Sequence, residues 1–303
     1  MDGNIPLAPA LPDFGDRRFS SAVVLVTNAC NLRCKHCFVY REDTPNSPRD
    51  KMSDARMLEQ LRRLRDKHGI RSMLFMGGEP MIKADLVSEA MRLFEASSIV
   101  TNGTYGIPSI PGHLVTVSLD GPRDENDAIR GKGVFDQVKK SVFDRDPNDG
   151  TEVMLQMSVT RQNADAIERF VETVKDWPIS GIAFSFYVPD LGEDSEYSWS
   201  NLRERDKAIR RIIELKARYP IIKSNVGALE LMLSKHCLDV TGEVGEYCNL
   251  KRMLPLYVGD GGEFERTYCC YGNNVDCSRC GSYPVFNSAW HERQQEPRES
   301  DHG

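Results

Sequence analysis

The stretch Ser21-Ala22-Val23-Val24-Leu25-Val26-Thr27-Asn28-Ala29-Cys30-Asn31-Leu32-Arg33-Cys34-Lys35-His36-Cys37-Phe38 decides how the rest of this chain is read. Its first seven residues are a β-branched, apolar run of strand length, as expected of a strand buried on both faces. Three cysteines follow with the spacing C-x3-C-x2-C. Three thiolates in so short a loop can hold one iron–sulfur cube and leave its fourth iron open. A cube held by four cysteines carries electrons; an open iron can take an exogenous ligand.

Two other readings of the loop are weaker. Zinc loops usually present C-x2-C pairs with a matching second pair. A disulfide framework fits poorly with nine cysteines, an odd number, and with a start (Met1-Asp2-Gly3-Asn4) that has no basic n-region or apolar core. The 303 residues suffice for one large α/β domain and a small appendage, and the composition, 40% hydrophobic and 28% charged, is that of a globular protein. No run approaches the roughly 18 apolar residues of a membrane span. The expectation is a cytoplasmic protein with no membrane partner. A net charge of −6 with no basic stripe argues against nucleic acid.

Beyond the loop, strand and helix patterns alternate. A proline-bearing connection over 41–50 leads to a helix opened by Ser53-Asp54, with Met57, Leu58, Leu61 and Leu64 at helical spacing. Strands are expected at 72–76, 99–103, 114–119, 152–160 and 181–188, and helices at 85–96, 134–143, 164–175 and 202–219. Six strand–helix repeats imply a parallel sheet with right-handed crossovers, with ligands bound at the C-terminal strand ends. The repeat stops near 220. Residues 252–258 and 263–268 read as a β-hairpin around Gly259-Asp260-Gly261-Gly262. The expected boundaries are a lead-in over 1–20, a barrel over 21–220, a cysteine-rich domain over 221–286 and a frayed polar tail over 287–303.

Several strand ends carry polar motifs. Gly77-Gly78-Glu79-Pro80 follows the second strand; glycines allow close backbone approach, and a carboxylate accepts hydrogen bonds from an ammonium group. Thr101-Asn102-Gly103 and Ser118-Leu119-Asp120-Gly121 end the next two, with Arg130 shortly after, and Ser158 and Asn163 flank the fifth. Tyr187 ends the sixth. As plain structure, the glycine motifs are turns and Arg130 is a solvated helix residue. A second cysteine group surrounds the hairpin: Cys248 before it, Cys269 and Cys270 after it, then Cys277-x2-Cys280. Four thiolates of this set suit zinc or a complete [4Fe–4S] cube equally well. Spacing does not decide between Cys269 and Cys270. Cys237 is left over, and a free cysteine is most often a small buried hydrophobe.

The cysteine loop, the GGEP motif and the 118–131 segment together resemble the radical S-adenosylmethionine (radical SAM) enzymes, and the second cysteine group resembles the Twitch form of their SPASM auxiliary-cluster domain. The fuller SPASM domain has seven cysteines, more than this segment offers, so one auxiliary cluster fits. The resemblance implies a partial (β/α)6 TIM-like barrel followed by a small β-hairpin and cysteine-rich domain. It implies a first [4Fe–4S] cluster on Cys30, Cys34 and Cys37, and an auxiliary [4Fe–4S] cluster on Cys248, Cys277, Cys280 and one of Cys269 and Cys270. S-adenosylmethionine would meet His36, Phe38, Gly77, Gly78, Glu79, Pro80, Asn102, Ser118, Asp120, Arg130 and Ser158. In that reading the GGEP motif contacts the cofactor's amino group, Arg130 its carboxylate and the Ser118 region its ribose.

The implied activity is reductive cleavage of S-adenosylmethionine, fed by a one-electron donor such as flavodoxin or ferredoxin, and hydrogen abstraction by the resulting 5′-deoxyadenosyl radical. Only about 20 residues precede the first strand, which points to a small natural product or a peptide held by the barrel itself. The leading expectation is two-electron oxidation, a dehydrogenation or a cross-link, with the auxiliary cluster as acceptor. A second is epimerisation, with Cys237 or a neighbouring cysteine returning hydrogen. Addition of the radical to form a new bond is a third. The reading of another class is a non-catalytic iron–sulfur or zinc protein.

Overall fold

The computed structural model describes residues 17–40 and 51–295. The expected 41–50 connection, most of the lead-in and the last eight residues lie outside them. The elements run β1 (Ser21–Leu25), α1 (Asp54–His68), β2 (Ser72–Met76), α2 (Ala84–Met91), β3 (Ala96–Thr101), β4 (Leu114–Ser118), α3 (Arg123–Arg130) and α4 (Val134–Asp144). They continue with β5 (Glu152–Val159), α5 (Ile167–Val174), β6 (Gly181–Phe186), α6 (Leu202–Arg218), α7 (Val226–Leu231), α8 (Cys237–Thr241), β7 (Leu254–Val258), β8 (Phe264–Arg266) and α9 (Tyr283–Gln295).

Each of β1 to β6 pairs in parallel with the next, giving the spatial order β6-β5-β4-β3-β2-β1. β6 and β1 do not pair, so the barrel is open, as expected. Strand alternation sets the two faces. In β5, Val153, Leu155, Met157 and Val159 are fully buried beneath the helices, while Gln156 and Ser158 face the barrel interior and line its cavity. The covering helices obey local rules. In α1 the Ser53 hydroxyl accepts from the Arg56 amide (3.3 Å), and Gly69 closes the helix at φ 70°, a left-handed conformation that suits glycine. Met57, Leu58, Leu61 and Leu64 bury the apolar stripe.

The structure corrects the C-terminal third in two ways. The expected hairpin is present, with Leu256 opposite Arg266 and Val258 opposite Phe264. Its first strand, however, also pairs in parallel with β1, Ala22 against Leu254, so the hairpin extends the barrel sheet and is not a separate layer. The tail expected from Asn287 is instead helical through Gln295. Val285 and Phe286 are fully buried there, and the indole of Trp290 closes on Gly227 of α7, where an added Cβ would lie 2.0 Å from Nε1. The polar composition of the segment concealed three or four anchoring residues. α7 and α8 were likewise not anticipated, being one to two turns long. Among the described residues, no helix is long and apolar enough to cross a membrane.

Candidate functional site

The C-terminal strand ends enclose a cavity of about 230 Å³. Its wall includes Cys30, Cys34 and Cys37, together with His36, Phe38, Gly77, Gly78, Glu79, Asn102, Ser118, Arg130 and Ser158. These residues come from the first five strand ends, and the fold brings them to one place. Sequence reading missed Gln156 and Ser185, which the strand alternation places on the inner face, and Asn31, whose amide bridges Asn102 and Thr104 (2.9 and 2.8 Å).

The cysteine loop is fastened by its neighbours. Gly78 N–H donates to Thr27 O (2.7 Å) and Glu79 N–H to Ala29 O (2.8 Å), so the GGEP segment lies directly against the chain entering the loop. An added Cβ would sit 2.4 Å from Thr27 O at Gly77 and 2.2 Å from Ala29 O at Gly78. The cysteine loop itself therefore demands the two glycines, which also line the cavity. Glu79 is a brace as well. Its carboxylate is fully buried and accepts from Thr101 Oγ1 (2.7 Å), the Asn102 amide (2.7 Å) and the Met81 amide (2.9 Å). It ties the second strand end to the third while still lining the cavity. Pro80 begins a short 3₁₀ turn and does not reach the cavity.

Asp120 is fully buried behind the wall, contrary to its expected contact with a cofactor. One oxygen meets His36 Nε2 (2.7 Å) and Arg130 Nε (2.6 Å), and the other accepts from Ser158 N–H (2.9 Å). Burial acts to raise its pKa, but the Arg130 charge and then His36 outweigh that and hold the carboxyl well below the usual range. Arg130 is buried as well, not a solvated helix residue, and its Nη1 points at Cys34 Sγ (4.0 Å). Asn163 donates to the carbonyls of Asp120 and Ser158, so it is a strand-end brace and not a ribose contact.

The donor set suits a thiolate-bound cluster. Burial pushes the Cys34 thiol up to about 11 against the opposing Arg130 charge, and raises Cys30 and Cys37. Cys30 Sγ receives the Leu32 amide (3.4 Å) and the Asn102 side-chain amide (3.8 Å), the donors an anionic sulfur ligand uses. None of the nine cysteines is in a disulfide. Among the described residues no three His, Cys, Asp or Glu side chains close on one point as a single ion would require.

The second cysteine group divides. Cys280 is buried, with Cys269, Cys248 and Cys237 close enough to raise its pKa further after burial itself. Tyr268 lies over Cys277 (Oη to Sγ 3.9 Å). Only Cys270 of this group lines the cavity that holds the first three cysteines. Cys237 is fully buried at the start of α8, its thiol toward the carbonyls of Ser278 (3.9 Å) and Cys280 (4.0 Å), and it does not reach the cavity. It is thereby removed as the first choice of hydrogen donor. Tyr187 does line the cavity, with its hydroxyl bonded to Glu193 (2.9 Å).

Comparison with known proteins agrees with this geometry. Pre-heme d1 synthase of Dinoroseobacter shibae is 28% identical over 207 residues, covering 62% of this chain and 50% of that protein. Mycofactocin maturase MftC of Mycolicibacterium smegmatis is 29% identical over 178 residues, covering 54% and 44%. The chain thus spans about half the length of the curated relatives it matches. Among solved structures, native anSMEcpe with bound AdoMet superposes with a TM-score of 0.60 at 18% identity, over 90% of this chain and 82% of that one. Streptococcus suis SuiB bound to precursor peptide SuiA gives 0.62 at 14% identity, over 94% and 68%. At these identities the likeness speaks for the fold. Residues 24–143, which carry the three-cysteine loop and the strand ends facing it, match the family model of the Radical SAM superfamily.

Proposed function

We propose that this chain cleaves S-adenosylmethionine reductively at Cys30, Cys34 and Cys37 and returns hydrogen to a substrate radical from Cys270. The observation that carries this reading is the single cavity lined by all four cysteines. When bound there, a [4Fe–4S] cluster and S-adenosylmethionine supply, on one-electron reduction, methionine and a 5′-deoxyadenosyl radical that takes a hydrogen atom from the substrate. The chain's own residues do the rest. Gly77, Gly78 and Glu79 hold the loop in place, and Asn102 and the Leu32 amide donate to Cys30. Arg130, fixed by Asp120, directs Nη1 toward Cys34, where it would be open to the cofactor's carboxylate. Ser118 and Ser158 line the cavity where the ribose would lie, and Phe38, packed on Tyr271 at 5.0 Å, would wall off water.

Cys270 then gives its thiol hydrogen to the substrate carbon from another side, leaving a thiyl radical that needs one electron and one proton to be restored. Cys269 is its chain neighbour and hydrogen-bonds with it. We assign Cys269, with Cys248, Cys277 and Cys280, to the auxiliary [4Fe–4S] cluster, whose place beside Cys270 suits delivery of that electron. The same adjacency favours a second reading, in which a cluster held by Cys248, Cys269, Cys277 and Cys280 would supply an acceptor for the substrate's second electron, with dehydrogenation or a cross-link as the outcome. The domain boundaries of this reading are a barrel from Ser21 and an auxiliary segment from about residue 221 through α9.

The substrate is a small natural product or a peptide. MftC is named a maturase and SuiB is seen with a precursor peptide, whereas pre-heme d1 synthase is named for a small molecule. A one-electron donor of flavodoxin or ferredoxin type completes the system. Turnover in D2O tests the outcome: solvent deuterium in a product of unchanged mass otherwise supports hydrogen return, and a product two hydrogens lighter supports oxidation.

A further inference from the structure

Arg205 on α6 is fully buried. Its Nη1 donates to the carbonyl oxygens of Cys280 (2.7 Å) and Arg279 (3.3 Å), and its Nη2 to Met232 O at the end of α7 (2.6 Å). Its buried Nε has no hydrogen-bond partner among the described residues. No carboxylate among them pairs with it, although seventeen residues of α6 carry several charges. The adjacent Asp206 is instead committed to Ser234, accepting from its amide (2.8 Å) and its hydroxyl (2.6 Å). Arg279, in the Cys277–Cys280 turn itself, is neutralised by Asp276 at 2.7 Å.

Carbonyl dipoles satisfy donors but do not cancel a unit charge, and an uncompensated buried guanidinium is costly. The fold has nonetheless placed one directly under the turn that presents Cys277 and Cys280. A cube held by four thiolates is a net anion and gains one more negative charge on reduction. Such a cluster would be a partner of the right sign for the guanidinium.

We propose that Arg205 is the buried counter-ion of the auxiliary cluster, a positioning residue that fixes the Cys277–Cys280 turn and raises the cluster's reduction potential. The proposal rests on the auxiliary-cluster reading above. Because net charge and hydrogen bonding set such potentials, loss of the positive charge makes the cluster harder to reduce. Retention of charge with altered shape largely preserves the potential.

The test uses the full chain with Cys30, Cys34 and Cys37 all changed to alanine, so that only the second cluster is loaded, and compares Arg205→Gln with Arg205→Lys. Iron is counted, and the midpoint is read by potentiometric titration followed by electron paramagnetic resonance. The expected result is a fall of at least tenfold in the reduced-to-oxidised ratio at fixed potential for Arg205→Gln, about 59 mV for a one-electron couple, with Arg205→Lys close to the parent. Iron lost in Arg205→Gln but kept in Arg205→Lys equally supports the charge requirement. An unchanged midpoint in an iron-loaded Arg205→Gln protein overturns the proposal, as does equal loss of iron in both variants. A parent that holds no iron at all removes the auxiliary cluster itself, and the counter-ion role with it.

Discussion

Cys269 and Cys270 are neighbours in sequence and hydrogen-bond through their side chains, yet only Cys270 lines the cavity shared with Cys30, Cys34 and Cys37. One residue lies with the thiols near Cys280, and the next faces the cavity. Cys270→Ala is expected to keep forming 5′-deoxyadenosine while losing product by about a hundredfold or more, on the order of 3 kcal/mol in barrier. Cys237→Ala, outside the cavity, is expected to keep product formation within about threefold. Parallel quantification of 5′-deoxyadenosine and product checks both, and equal loss of the two in Cys270→Ala would speak against hydrogen donation.

Gly78 has no room for a side chain, because its Cβ would press on Ala29 O at 2.2 Å. Gly78→Ala is expected to cost about 1–3 kcal/mol by overpacking and to displace the cysteine loop. Gly261, with nothing within 4 Å of an added Cβ, is the control and should change stability by less than about 0.5 kcal/mol. Thermal melts with iron counts on the first site measure both. Normal iron retention in Gly78→Ala would contradict the fastening role of the GGEP segment.

The buried Asp120 pair has a defined pH signature. Its folded pKa is depressed, so the stabilisation it gives is fully present above the unfolded value near 3.8 and is lost as pH falls toward the native one. Asp120→Asn in the apo protein should cost about 3–5 kcal/mol at neutral pH, as expected for breaking a buried pair. The difference from wild type should stay flat between about pH 5 and 7 and narrow below about pH 4. Urea unfolding across that range reads it, and a difference that widens on acidification would refute the sign.

The last helix is a structural part of the molecule. Phe286 is fully buried in α9, and Phe286→Ala is expected to destabilise by about 3–5 kcal/mol. A truncation after Pro284 should expose the α7 surface and unfold more readily than the full chain. Equal melting temperatures for the truncated and full chains would return this segment to the status of a tail.

The barrel was legible because its signals are local and periodic. β2 was expected and found over 72–76, and Ser53, Gly69 and the apolar stripe of α1 mark that helix without any tertiary help. The convergence of Cys30, Cys34, Cys37 and Arg130 on one cavity was legible from their place at the strand ends. The site was not legible where a polar side chain turns inward. Asp120 looks like a ligand contact in a one-dimensional reading and proves to be a buried brace when His36 and Arg130 are seen around it, and the bracing of Glu79 by Thr101 and Asn102 is equally invisible there. α9 was hidden for the opposite reason: a few buried apolar residues anchor a helix whose remaining surface is polar.

The account stands most directly on what Cys30, Cys34 and Cys37 do. Anaerobically reconstituted protein, given S-adenosylmethionine and a strong one-electron reductant, should form 5′-deoxyadenosine and methionine. The variant with all three cysteines changed to alanine should form none while keeping about four irons, the content of one remaining [4Fe–4S] cluster. Absence of 5′-deoxyadenosine from the fully loaded wild-type protein, with substrate and reductant present, would contradict the account.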